Sequence, residues 1–238
     1  MRTRAAVRKG SHSMVFQRAR KEEQRERRRQ EILDAAWELF EAGGLEMVTF
    51  STIGAKVSFT RQTIYTYYRS RDEVLLDLLG RKVEEFYRDI REMFPVGQLV
   101  TQREFCEKLA DHLLTHKKMV ALFSLHITLE TKARYENILA FKRTMYKAFP
   151  VFCTILRDQC PDASEDACCY FCLTIMVYIS SIYPMIEQTP LQMKALQEAA
   201  GGMAIPTDRE LILSSLMLMT GSFHFRADEE KDESRNPQ

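Results

Sequence analysis

Glycine, proline and tryptophan are scarce in this chain of 238 residues, at 9, 7 and 1 copies. Few breakers leave long stretches whose apolar residues recur at helical spacing, which excludes a sheet protein of short strands and predicts an all-α fold. Long hydrophobic runs are also missing. The most apolar stretch, Ala167 to Met185, carries Thr174, Ser180, Ser181, three Tyr and a Pro, which suits a buried helix and predicts no membrane span. No apolar run follows the basic N-terminus, so no secretory signal is expected, and the cytoplasm is the expected location. The six cysteines cluster on predicted helices of a large chain and do not read as a disulfide framework. Catalytic groupings are absent too. No nucleophile–base set is visible. His112 and His116 stand four apart on one helix, but no carboxylate or Cys at a convincing spacing completes a metal site. Cys168, Cys169 and Cys172 read as small core hydrophobes within a helix. The expectation is therefore no enzyme, no cofactor and no metal.

What the chain has is an uneven distribution of charge. The formal net charge is only +1. Residues 1–71 contain 15 Lys/Arg against 8 Asp/Glu, and the remainder contains 19 against 25. A basic front and an acidic back imply that only the front meets a polyanion. Residues 1–25 are expected to form a basic, disordered arm, and 227–238 an acidic, frayed tail. Between them, 26–75 read as a three-helix unit and 76–226 as a larger helical one. Ser70, followed by Asp72 and Glu73, caps a helix that runs to Pro95 and is long enough to link the two. Beyond it the periodicity predicts helices over 102–118, 119–131, 133–160 with a bend at Pro150, 164–187, 190–200 and 208–225.

The chain is organised around Thr49 to Tyr68, TFSTIGAKVSFTRQTIYTYY. Phe50, Ile53 and Val57 lie on one helical face; Ile64, Tyr67 and Tyr68 lie on a second. Thr49 and Thr60 are placed as N-caps, with the Thr60 hydroxyl expected to accept from the backbone N–H of Gln62 or Thr63. Two helices joined by so tight a turn cross steeply and leave the second standing out. Its outward residues, Arg61, Gln62, Tyr65, Thr66 and Arg69, include donors and an aromatic but no acid, a composition suited to the major groove of double-stranded DNA.

The spacing of ILDAAWELFEAGG, then Thr49-x3-Ile53, then Thr63-x-Tyr65-x2-Tyr68-x2-Arg71-x3-Leu75 resembles the N-terminal domain of the TetR family of bacterial transcriptional regulators. The likeness spans Ile32 to Leu75. The chain departs from the usual pattern at Gly54, at Ser58-Phe59-Thr60 where a Gly-Val-Ser turn is common, at Tyr68 and at Arg71, which keeps the charge. The resemblance implies that Thr49 and Arg71 contact phosphates and that 60–67 form the recognition helix. Arg61, Gln62 and Thr63 would then lie near base edges, with Tyr65 and Tyr67 on backbone or thymine methyls. It also implies a homodimer formed by the last two long helices, a near-palindromic operator, and a pocket for a small effector whose occupation releases a repressor. Phe105, His126, Tyr146 and Tyr178 are the candidate pocket residues, and an apolar or aromatic effector suits their surroundings. Two alternatives stand beside the repressor: a protein-binding co-activator of the same fold, and a small helical enzyme using the body pocket.

Overall fold

A computed structural model describes residues 5–147 and 149–229, with side chains described from residue 19 onward. Among the described residues there are twelve α-helices, one 3-10 turn and no strand. The chain divides into two compact units, residues 1–78 and 79–238, and one helix runs unbroken through the boundary.

In the first unit, α1 spans Ala5–Gly43, α2 Phe50–Gly54 and α3 Arg61–Ile64, and α4 (Arg71–Met93) begins. Helix α1 takes in residues 5–25, where a disordered arm is expected from sequence. The physical reason is local. From Ala19 to Gln30 the chain is almost entirely Arg, Lys, Glu and Gln, all good helix formers with no breaker among them. Pairs one turn apart also reinforce it, such as Arg27 with Glu23 at 2.7 Å and Gln30 with Glu26 at 2.6 Å. Gly44 stops the helix. With φ at 71°, a value that glycine adopts without strain, its N–H returns to the Phe40 carbonyl at 2.8 Å. Helices α2 and α3 are far too short to persist alone. They are held by a small core in which Ile32, Ala36, Ile53, Ile64 and Leu75 are fully buried.

A polar knot closes this unit. The Arg29 guanidinium of α1 grips both oxygens of Asp77 on α4, its Nε donating to Oδ2 at 2.7 Å. The Tyr68 hydroxyl, from the turn after α3, donates to the same Oδ2 at 2.5 Å. Burial, with the Asp77 charge beside it, pushes the Tyr68 phenol far above its ordinary pKa, so it stays protonated as a donor. The hydrogen bond to Asp77 raises Arg29 as well. Next to this knot, Ser70 caps α4 by accepting from the Glu73 N–H at 3.2 Å, and the buried Glu73 carboxylate accepts from the Arg69 N–H at 2.8 Å.

The second unit begins with the C-terminal two-thirds of α4 and continues through α5 (Gln102–Thr115), α6 (Lys117–Ser124), α7 (His126–Glu130), α8 (Tyr135–Lys147), α9 (Phe149–Gln159), α10 (Glu165–Ile186), α11 (Pro190–Ala200) and α12 (Asp208–Met219). Helix α10 packs on α6, α9 and α12, and α12 also packs on α5. One expected helix is split: the stretch 119–131 is interrupted at Leu125. The stretch 133–160 is helical over Tyr135–Lys147 and Phe149–Gln159, on either side of residue 148, which lies outside the described residues. Capping boxes at Thr101, Thr189 and Thr207 set the starts of α5, α11 and α12. The loop after α4 is fixed by Gln159, whose amide accepts from Val100 N–H at 2.8 Å and donates to the Gln98 carbonyl at 3.0 Å. Of the supposed acidic tail, residues 227–229 are helical, and 230–238 lie outside the described residues.

Replacing Asp77 by Ala strands the Tyr68 hydroxyl and the Arg29 guanidinium together. It should destabilise the first unit by roughly 2–3 kcal/mol, and Tyr68→Phe by about 1 kcal/mol, as read by urea unfolding. Equal stability of Asp77→Ala and the parent chain would refute the role given to the knot.

Candidate nucleic-acid interface

Thr49 begins the interface. Its hydroxyl accepts from the Thr52 N–H at 3.1 Å while the Thr52 hydroxyl accepts from the Thr49 N–H at 2.9 Å, a closed capping box at the start of α2. The side chain is only half-buried, so one face of the cap remains open. Gly54 ends α2 where α3 crosses: a Cβ at Gly54 would lie 3.3 Å from Arg61 Cβ. The absence of a side chain therefore permits this close approach. Between the helices, the turn carries Ser58 where resemblance placed a glycine. No non-glycine residue described has positive φ, so this turn is not the left-handed one. Instead, the Glu31 carboxylate of α1 accepts from both the Ser58 N–H and the Ser58 hydroxyl, the latter at 3.0 Å. Arg28 of α1 covers the Phe59 ring at 5.6 Å.

Helix α3 is shorter than expected. Regular helix covers Arg61–Ile64, and Tyr65 to Tyr67 continue as a tighter turn, with the Tyr67 N–H bonded to the Ile64 carbonyl at 2.9 Å. Thr60 precedes it in an extended conformation, but its hydroxyl makes no cap. It lies 3.3 Å from the Thr63 hydroxyl, so the two threonines pair with each other and the expected backbone bond is absent. Thr60, Arg61, Gln62, Tyr65 and Thr66 are exposed and Thr63 is half-buried, while Ile64 and Tyr68 face the core. Arg61 reaches back along the helix: its guanidinium donates to the Tyr65 hydroxyl at 3.0 Å and sits 5.8 Å above that ring. The Tyr65 ring in turn meets Phe50 edge-on at 4.8 Å, fastening α3 to α2. Tyr67 is half-buried with Arg25 over its ring at 5.9 Å, and Arg71 is half-buried in the first turn of α4. The eight residues singled out from sequence therefore belong to one unit, on or flanking a face that carries two cations and no acid.

The four candidate pocket residues lie in the second unit, each with its own surroundings. Phe105 is fully buried, its ring tilted against Phe94 at 4.8 Å and Phe225 at 5.3 Å, and serves as core. Tyr146 is exposed, flat on Phe149 at 5.2 Å. His126 is buried, its Nδ1 2.7 Å from the Phe123 carbonyl. The Tyr178 hydroxyl is buried without a hydrogen bond of ordinary geometry. No described contact joins any two of the four. Helical spacing identifies apolar and aromatic side chains but not which of them border a space. A cleft of about 280 Å³ lies elsewhere in the second unit, lined by Arg91, Phe94, Lys147, Pro150, Ile155 and Asp158 among others. Of the clustered cysteines, Cys168 and Cys172 are buried in the core and burial raises the pKa of both, while Cys169 is half-buried.

Helix α10 is long and apolar enough, by length and composition alone, to cross a membrane. Its two faces differ. Cys172, Ile175, Ile179 and Ile182 are buried within the chain, whereas Tyr170, Leu173, Thr174, Val177, Ser181 and Met185 form an exposed stripe. The buried stripe is the side that packs within the chain, where α10 meets α6, α9 and α12.

Residues 32–78 match the family described as "Bacterial regulatory proteins, tetR family", and residues 80–221 match "Tetracyclin repressor-like, C-terminal domain". Among solved structures, the chain is similar to the transcriptional regulator SCO7222, a TetR from Streptomyces coelicolor, at 14% identity, 81% of this chain, 95% of that chain and a TM-score of 0.49. It is also similar to the superantigen PfiT, at 14% identity, 80% of this chain, 94% of that chain and a TM-score of 0.47. A comparison with curated proteins gives no match.

Glu31→Ala removes the acceptor that closes the turn between α2 and α3. A loss of about 1 kcal/mol in stability is expected, with Glu31→Gln recovering part of it in thermal unfolding. No change in either variant would show that the turn holds itself.

Proposed function

Because the chain belongs to the tetR family of bacterial regulatory proteins, whose members are DNA-binding transcriptional regulators, we propose that it is a repressor. In this reading it acts as a homodimer on a near-palindromic operator and is released by a small effector. The observation that carries the reading is the acid-free face of exposed Arg61, Gln62 and Tyr65 with half-buried Thr63, held on a turn that α1 clamps through Glu31. Arg and Gln read guanine and adenine edges bidentately, and the Tyr65 ring suits a thymine methyl. Thr49, Thr60, Tyr67 and Arg71 flank that face and suit phosphates, which position the protein without reading sequence. The basic residues along α1 add a sequence-independent attraction.

The exposed stripe on α10, with Leu218 exposed on the adjacent α12, supports the homodimer: a second copy would cover it in a four-helix interface. A twofold dimer sets two recognition helices about one DNA turn apart, hence the near-palindrome. The cleft at the C-terminal end of α4 supports effector release. An apolar or aromatic ligand there would bear on the helix that continues into the DNA-binding unit, and it shifts the equilibrium only if it binds the released state better. The cytoplasm, free of membrane attachment, is the location that fits such a function.

Footprinting on DNA upstream of the protein's own gene should reveal a protected near-palindrome. Arg61→Ala and Gln62→Ala should each weaken specific binding by ~1–3 kcal/mol with folding intact, and Arg71→Ala should weaken it on all sequences and reduce the salt slope by about 1. Normal operator binding by both Arg61→Ala and Gln62→Ala would overturn the assignment. Placing a charge in the α10 stripe, Val177→Arg, should yield a monomer by sedimentation; a persistent dimer would put the interface elsewhere.

A further inference from the structure

Two histidines acquire a third partner in three dimensions. His112 lies in the last turn of α5 and His116 caps its C-terminus, and Asp89 of α4 meets them, with the ligand atoms of all three within 4.8 Å of one another. Sequence held no carboxylate at a convincing spacing from the histidines, because this one comes from a different helix. We propose that Asp89, His112 and His116 form a binding site for a divalent transition-metal ion that joins α4 to α5.

The local arrangement matches what such an ion needs. A tetrahedral ion with bonds of about 2.0–2.1 Å holds its ligand atoms roughly 3.3 Å apart, so side-chain rotations of about 1 Å close the site. His116 Nε2 already stands 3.6 Å from Asp89 Oδ2. His112 Nε2 faces the Phe86 carbonyl at 3.3 Å. In the tautomer that donates to this carbonyl, Nδ1 keeps its lone pair, the usual second contact of a metal-bound imidazole. The Phe86 ring holds both imidazoles in place, stacked on His112 at 4.4 Å and edge-on to His116 at 5.6 Å. Burial also disfavours the imidazolium form of both rings, leaving neutral donors.

Of the charged groups nearby, Lys82 is paired with Glu85 at 2.8 Å, and Arg88 touches the outer oxygen of Asp89 at 3.5 Å. Two imidazoles and one carboxylate favour zinc, cobalt, nickel or copper over magnesium or calcium. Asp89 and His116 are half-buried, which leaves a path from solvent and a further coordination position for water or a small ligand. The assignment concerns binding alone and stands apart from the repressor reading.

The test uses the full chain stripped of metal by a chelator and titrated with cobalt(II) alone, followed through its visible d–d bands, then with zinc in competition. One ion per chain is expected. Asp89→Asn, nearly isosteric, and His116→Ala should each weaken binding at least about tenfold, with circular dichroism confirming helicity. His224→Ala removes the exposed imidazole that pairs with Asp162 at 2.9 Å and should leave binding unchanged. Zinc should raise the melting temperature of the parent chain and not that of Asp89→Asn. Absence of binding, binding that survives both variants, or a thiolate charge-transfer band pointing to the cysteines would each overturn the site.

Discussion

Asp77 is the point on which the first unit depends. One carboxylate is shared by the guanidinium of Arg29 on α1 and the hydroxyl of Tyr68 after α3, and it is itself carried by α4. Helices of five and four residues have no stability of their own. Their position is set from outside, by the apolar core beneath them and by charge-assisted bonds whose donors are over-determined. Tyr68 is held protonated and Arg29 ionised, so both stay donors to Asp77, and α3 is placed by rigid neighbours rather than by its own sequence.

That arrangement explains how a polar segment can be presented to a polyanion. Arg61 and Gln62 contribute nothing to the core and are free to be donors, because Phe50, Ile53, Ile64 and Tyr68 already provide it. The link from Arg61 through Tyr65 to Phe50 limits how far the Arg61 side chain wanders. Glu31 takes the place of a special backbone conformation. A serine N–H and hydroxyl bonded to a carboxylate close a turn that a glycine would otherwise close by adopting positive φ.

The second unit resolves a competition for apolar surface. Helix α10 is apolar on most of its circumference, and α6, α9 and α12 claim only part of it. The remaining stripe of Tyr170, Leu173, Val177 and Met185 is costly to leave in water. The meeting of Asp89 with His112 and His116 has a different character: three groups that bind metal face one another where apolar packing would have served equally well.

Much of this was determined by sequence alone. Capping residues and apolar periodicity are local signals, so the starts of α2, α4, α5, α11 and α12, the all-α class and the outward residues of α3 were legible before any coordinates, as was the likeness carried by Ile32 to Leu75. Tertiary structure decided the rest, because it depends on residues far apart in the chain. Periodicity could not foretell that Glu31 replaces a turn glycine, that Tyr68 meets Asp77, or that Asp89 comes to His112. It marked both faces of α10 as apolar without saying which one α6 would cover. It also set the aromatics of the body apart from its polar residues without distinguishing Phe105, sealed in core, from Tyr146, left on the surface. Burial is a property of the neighbours a helix acquires, and those neighbours are chosen only when the chain has closed.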